Sequence, residues 1–425
     1  MENRSVFGMK RAVLVLAFAT AWTVGCGETL RTKTYAESVR SLQVLVDGQP
    51  LTLPYIELGT DQSVAISFDE LSYDAKSFYY RIVHCNADWT PSSLSSMEYV
   101  EGFDNGMITD YEYSQNTTAN YIHYSFSVPN EDLSITLSGN YAVEIAQDND
   151  FDNPVAVACF SVYEPLASVE GDVTGNTLKE LNGKYQQLEI VVDYRGVQIK
   201  NPMNELTVTV EQNGRRDNMR VLARPTFTQV NRLVYQNMAD LIFEGGNQYR
   251  SVDFSSRYTY GAGIERIFAE DNVYHVVMTP NVSRMMKGVE MGQDADGAYI
   301  VNVQEGYYPE IEADYMWVHF WLPADEPMLQ GSVYLMGDLV ENRMDVSSRM
   351  DYDFENRGYY KDLYLKQGGY NYMYGYVQKG AEEMTLVPFE GSHWQTENRY
   401  VVCVYWRPFG ERYDRLISYG VIYSD

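Results

Sequence analysis

Apolar residues recur at every second position along most of this chain, and nowhere do they sustain the three-to-four spacing that a helix requires. In "YIHYSFSVP" the residues Ile122, Tyr124, Phe126 and Val128 share one face and His123 lies on the other. "ELTVTVEQNGRR" repeats the pattern with Leu206, Val208 and Val210 before an Asn213-Gly214 turn, and "SLQVLVDGQPLTLPYIEL" reads as a hairpin about Asp47-Gly48. A period of two belongs to a pleated strand, and Asn-Gly or Asp-Gly between two such runs marks a tight turn. The 37 tyrosines suit pleated surfaces better than helices. The expected class is therefore all-β, a row of β-sandwiches with little helix.

After the leader, about 400 residues are enough for two or three domains, each with its own core. "SVYEPLASVEGDVTG" follows a closing strand and introduces Pro165, and "VQEGYYPEIEADYMWVHFWLP" restarts a strand pattern near 305. The expected units are residues 1–25 as a signal peptide, then 26–165, 166–305 and 306–425 as three β domains.

The chain opens with MENRSVFGMKR, an apolar run of about a dozen residues, and Gly25-Cys26. That run is too short to span a bilayer as a helix and has the form of a secretory signal. TVGC resembles a bacterial lipobox with Thr23 where leucine is usual, so Cys26 is the expected lipidation site, with cleavage to a soluble protein as the alternative. Loss of Glu2, Arg4, Lys10 and Arg11 with the leader removes two net positive charges and moves the net charge from −27 to −29. Such an acidic surface repels nucleic acid, which requires clustered Lys and Arg. The expected location is the periplasm.

Thiol chemistry is the obvious question raised by "YYRIVHCNADW". On a strand, however, Phe78, Tyr80, Ile82 and His84 point one way and Tyr79, Arg81, Val83 and Cys85 the other, so His84 and Cys85 cannot act on one substrate. Cys85 reads as a small apolar core residue, with a disulfide to Cys159 as the alternative, because an exported chain meets an oxidising compartment. Cys403 reads as a buried free thiol. "QDNDFDNP" carries Asp148, Asp150 and Asp152 but has Asn153 where a calcium loop needs its glycine and Cys159 where it needs its glutamate, so it reads as a hairpin tip. "GQDADGAY" is a turn, and "GAGIER" lacks the third glycine of a dinucleotide loop. With 58 carboxylates left after the leader, some pair falls at glycosidase spacing by chance. No catalytic residue, metal, cofactor or small-molecule substrate is expected.

The stretch from Phe68 to Ile145 resembles the N-terminal domain of the type 9 secretion system plug family of Bacteroidota. The resemblance rests on Arg81 to Trp89, Glu98-Tyr99, Gly102-Phe103, Asn116-Thr117, His123-Tyr124 and Ser138-Gly139-Asn140-Tyr141, in the family's order. It continues through "FEGGNQYRSVDF", "ADYMWVHFWLP", "YLKQGGYNYMYGYV" and "ENRYVVCVYWRPFGERYDRLI". It implies a non-enzymatic periplasmic protein that docks on the outer-membrane translocon barrel and closes the pore when no substrate is passing. His84, Asp88 and Trp89 are its candidate motif or interface residues, with fixing a strand end and its turn as the alternative.

A rival reading comes from the last domain. "GSVYLMGDLVENRMDVSSRMDYDFENRGYYKDLYLKQGGYNYMYGYV" resembles the immunoglobulin-like early-set modules that sit beside starch-acting enzymes, which would imply a glycan-binding periplasmic lipoprotein. Such binders stack sugars on exposed tryptophans, and none lies between Trp321 and Trp394.

Overall fold

The computed structural model of the chain describes residues 29–222, 224–290, 292 and 294–424; Cys26 and the leader lie outside them. The alternating segments are strands, helix among the described residues is confined to single turns such as Ser96–Tyr99 and Pro309–Glu312, and the fold is all-β. The strands form three sandwiches, each with its own apolar core.

In the first sandwich, one sheet runs in the order Lys33–Thr34, Ala156–Tyr163, Gly139–Gln147, Phe78–Cys85, Asn105–Ile108. It faces a second sheet of Val39–Val46, Val64–Glu70, Ile122–Val128 and Asp110–Tyr113. Phe78, Tyr80 and Ile82 enter the core against Ile122, Tyr124 and Val128, as alternation requires. The carboxylates at 148 and 150 sit at the tip of the hairpin joining Gly139–Gln147 to Ala156–Tyr163. The hairpin expected about Asp47-Gly48 does not form. Val39–Val46 pairs with Val64–Glu70, while Tyr55–Glu57 crosses to the other sheet and pairs in parallel with Ser161–Tyr163. Thr52 Oγ1 takes the Val46 amide proton (2.9 Å) that a returning strand would have used.

The division at residue 305 needs correction. Arg399–Trp406 pairs with Leu206–Gln212 and with Arg415–Tyr423, so the last strands complete the second sandwich, and Tyr400, Val402, Val404 and Ile417 share a core with Leu188, Ile190 and Val208. Strands before 305, Arg250–Asp253 and Val273–Met278 among them, pair instead with Gly368–Gln378 and Tyr315–Pro323. The third sandwich is thus an insertion in the second, and 306–425 is not one unit. The two crossings run side by side. His393 N donates to Gly246 O (2.9 Å), and a Cβ on Gly245 would strike the His393 carbonyl, so only glycine lets the two strands of chain pass this closely.

Candidate functional site

The two motifs of the first domain meet across one strand pair, Cys85 opposite Asn140 and His84 opposite Tyr141. His84 is buried, its ring edge-on to Tyr141 (5.0 Å between centroids) and Tyr413 (5.4 Å). Its Nε2 donates to the Ser138 carbonyl (3.3 Å), while Nδ1 has no partner. Burial pushes the imidazole down to about 4, against that hydrogen bond and the nearby Asp414, so His84 is neutral at pH 7. Gly139 sits at φ +144° directly against the His84 ring, where a Cβ would collide with Nε2.

The turn after His84 joins the first sandwich to the second. Ala87 N donates to Asp414 Oδ2 (2.9 Å), and Arg407 bridges Asn86 Oδ1 and Asp414 (2.8 Å each). Asn140 donates to Asn86 O (3.0 Å) and accepts from Tyr405 of the second sandwich (3.0 Å). Trp89 holds φ +63°, an uncommon conformation for a bulky residue, with the Arg216 guanidinium 3.7 Å over its ring. Asp88 caps its own turn through Thr90 N (3.0 Å) and Oγ1 (2.6 Å). Tyr55 stacks on Tyr419 (4.5 Å) within an apolar patch that includes Ala87, Cys403, Tyr405 and Leu416. Of the three residues singled out in the sequence, His84 and Trp89 meet at this seam and Asp88 only shapes it. Asn86 and Ala87, which make the direct contacts, went unremarked because their letters carry no special chemistry.

The seam to the third sandwich is built differently. Asp69, fully buried, receives Lys366 Nζ (2.6 Å), Tyr315 OH (2.7 Å) and His123 Nδ1 (2.7 Å). Burial pushes the Asp69 carboxyl up, but Lys366 and His123 outweigh it and hold it below the usual carboxylate range. Beside it the Asp314 carboxylate accepts from Thr118 N and Oγ1 (2.8 Å each) and Ala119 N (3.0 Å). Asp69, His123, Asp314 and Lys366 lie in or beside the segments that carry the resemblance, and all serve this joint.

Cys85, Cys159 and Cys403 are buried free thiols. The disulfide considered for Cys85 and Cys159 is absent because Gly139–Gln147 lies between their strands, so the two are separated by two strand spacings. Burial pushes Cys159 up to about 11 and Cys403 to about 12, and raises Cys85 well beyond its ordinary value, so none is a thiolate nucleophile at neutral pH. Among the described residues no three His, Cys, Asp or Glu side chains are grouped to hold a metal.

The chain is thus a multi-sandwich β protein whose distinctive residues lie where its three sandwiches meet. Residues 39–164 match the type 9 secretion system plug protein first domain. A protein from Parabacteroides merdae described as hypothetical, known from a crystal structure, has 37% sequence identity and a TM-score of 0.90, covering 92% of this chain and 99% of its own. No curated protein matches. The chain belongs to the type 9 secretion system plug family, which carries a plug-like role in that system and a periplasmic or envelope-associated location; the family is a secretion component, not a known enzyme family.

Proposed function

We propose that this protein seats on the periplasmic mouth of the type 9 outer-membrane translocon barrel and closes it when no substrate is passing. The observation that carries the reading is where the family's residues go: into two unlike seams that hold three sandwiches in one body, as a stopper that must not itself open requires. In this reading the working units are 29–165, 166–245 together with 395–425, and 246–394. Exposed aromatic side chains, Phe103, Tyr258, Tyr307 and Phe409 among them, are available as anchors for a partner. The test is purification of the tagged protein from native membranes. A stable seat needs more than roughly 1,000 Å² of interface, so the barrel should accompany the protein without crosslinking, and deletion of the gene should make outer membranes leaky to large solutes. Isolation of the protein alone, with unchanged permeability and secretion on deletion, overturns it. Lipidation of Cys26 is part of the proposal, and an intact mass without added acyl groups removes it.

One observation favours glycan binding as a second reading. Trp317, His319 and Trp321 point outward from the five-stranded sheet of the third sandwich, opposite Tyr364, Asp362 and Tyr360, so aromatic rings are present just before the stretch that lacks tryptophan. Titration with starch-like oligosaccharides tests it, and silence at millimolar sugar excludes it.

A further inference from the structure

Where the three sandwiches meet they line a chamber of about 930 Å³ that is partly open to solvent. The first sandwich supplies an apolar and aromatic wall that includes Leu53, Tyr55 and Trp89; the third supplies Asp294, Asp296 and Asp338; and the second supplies Glu397 and Arg399. The carboxylates stand on two turns held together by Asp338 N donating to Gly297 O (2.8 Å). Asp294 accepts from Tyr249 N (2.6 Å) and Asp296 N (2.8 Å), and Asp338 from Asn342 Nδ2 (2.9 Å).

The cations on the walls are mostly committed. Arg399 lies 3.4 Å from Asp296, Lys33 lies 3.7 Å from Asp345, and Arg216 covers Trp89 and lies 3.7 Å from Glu211. Asp217 pairs with Arg215, Glu341 binds Thr34 and lies 3.5 Å from Arg343, and Arg31 reaches the wall with no ion pair among the described residues. Asp294, Asp338 and Glu397 have no ammonium or guanidinium within ion-pair distance among the described residues.

We propose that this chamber is a binding site for an organic cation, an amine or guanidinium carried on an apolar body, with its charge between Asp338 and Asp294 and its apolar part against Tyr55 and Trp89. A cavity of this size, with apolar walls and a few converging charges, is what a ligand site requires, and aromatic faces attract cations. The proposal goes beyond the plug reading and does not rest on it. It also departs from the sequence-based expectation of no small-molecule ligand.

Charging the partly buried carboxylates of this wall is costly. Burial pushes Asp296 up to about 6, although Arg399 pulls it down, and burial also raises Asp294, whereas Asp338 is exposed and its charge is screened by solvent. Because their folded pKa values lie above the unfolded ones, Asp294 and Asp296 cost stability at neutral pH, and the cost is relieved as pH falls through about 6. A bound cation favours the ionised form. Binding therefore releases protons near pH 6 and weakens below it.

The experiment is calorimetric titration of the whole protein with the amide of Lys-Trp-Lys and, as control, of Glu-Trp-Glu at pH 7.5. The basic peptide is expected to bind one to one and the acidic peptide not at all. Asp338→Asn should weaken binding at least tenfold, whereas Asp172→Asn, outside the cavity lining, should leave the affinity unchanged. Titration of unaltered protein in two buffers at pH 6 should show proton release, a readout that needs no variant. Equal binding of both peptides, no binding at millimolar peptide, unchanged affinity in Asp338→Asn, or no proton release each overturns the proposal.

Discussion

The first sandwich is held by two seams made of different chemistry. Toward the second sandwich it presents Tyr55, Ala87 and a neutral His84, and the contact is rings and apolar surface with the Glu98–Arg412 and Glu164–Arg415 ion pairs at its partly exposed rim. Toward the third it presents Asp69, and the contact centres on a buried ion pair with Lys366. Ion pairs that water reaches contribute little and can lose a member cheaply, but a buried pair fails badly when one member is lost, because the other stays charged and dry. The ionic seam is therefore the more selective joint and the more fragile one.

The largest effect should come from breaking it. Lys366→Met leaves the buried Asp69 carboxylate without its ammonium partner, held only by His123 and Tyr315, and should cost about 3–5 kcal/mol in urea unfolding, while adding Asp69→Leu should restore most of the loss. A cost below about 1 kcal/mol for the single change would place the seam's strength in its hydrogen bonds instead.

Acid should attack the two seams in sequence. His84 has a folded pKa below its unfolded value, so the unfolded chain binds the proton first, and stability falls as pH drops from about 6.5 to about 4, by roughly 3 kcal/mol at most. Asp69, held below the carboxylate range, keeps its contribution until pH falls through that lowered value. The difference between wild type and His84→Gln in urea unfolding from pH 7 to 4 isolates the first step; a flat difference would show that His84 does not report on its seam.

A smaller effect is expected at Gly139, where alanine would adopt a strained φ and press on His84. Gly139→Ala should cost about 1–3 kcal/mol, and His84→Ala in the same chain should recover part of it, a coupling read by a double-mutant cycle. Independent, additive costs would mean that the two motifs do not touch as described. The smallest effect is none: a reducing agent should leave the Tm unchanged, since Cys85, Cys159 and Cys403 are free thiols, and a drop would reveal a disulfide.

The sequence by itself determined the strands, their inward faces and several turns. Alternation placed Phe78, Tyr80 and Ile82 inward, separated His84 from Cys85, and predicted the Asn213-Gly214 hairpin that joins Leu206–Gln212 to Arg215–Leu222. These are local matters, fixed by the pleat and by the φ values that Asn and Gly accept. Only the tertiary structure decided which strand finds which. The insertion of the third sandwich left no shift in composition, and its nearest sign was a pair of matching letters, Glu244-Gly245-Gly246 and Glu390-Gly391-Ser392, at the two crossings. Lys366 at the end of its strand looks like any solvent-facing lysine, and its partner Asp69 lies 297 residues away. Nothing in the local energy of either residue distinguishes water from the other's side chain. That choice is made when the sheets close on one another, and the same closure creates the chamber, of whose carboxylates Asp294 and Asp296 were read in the sequence as an ordinary turn.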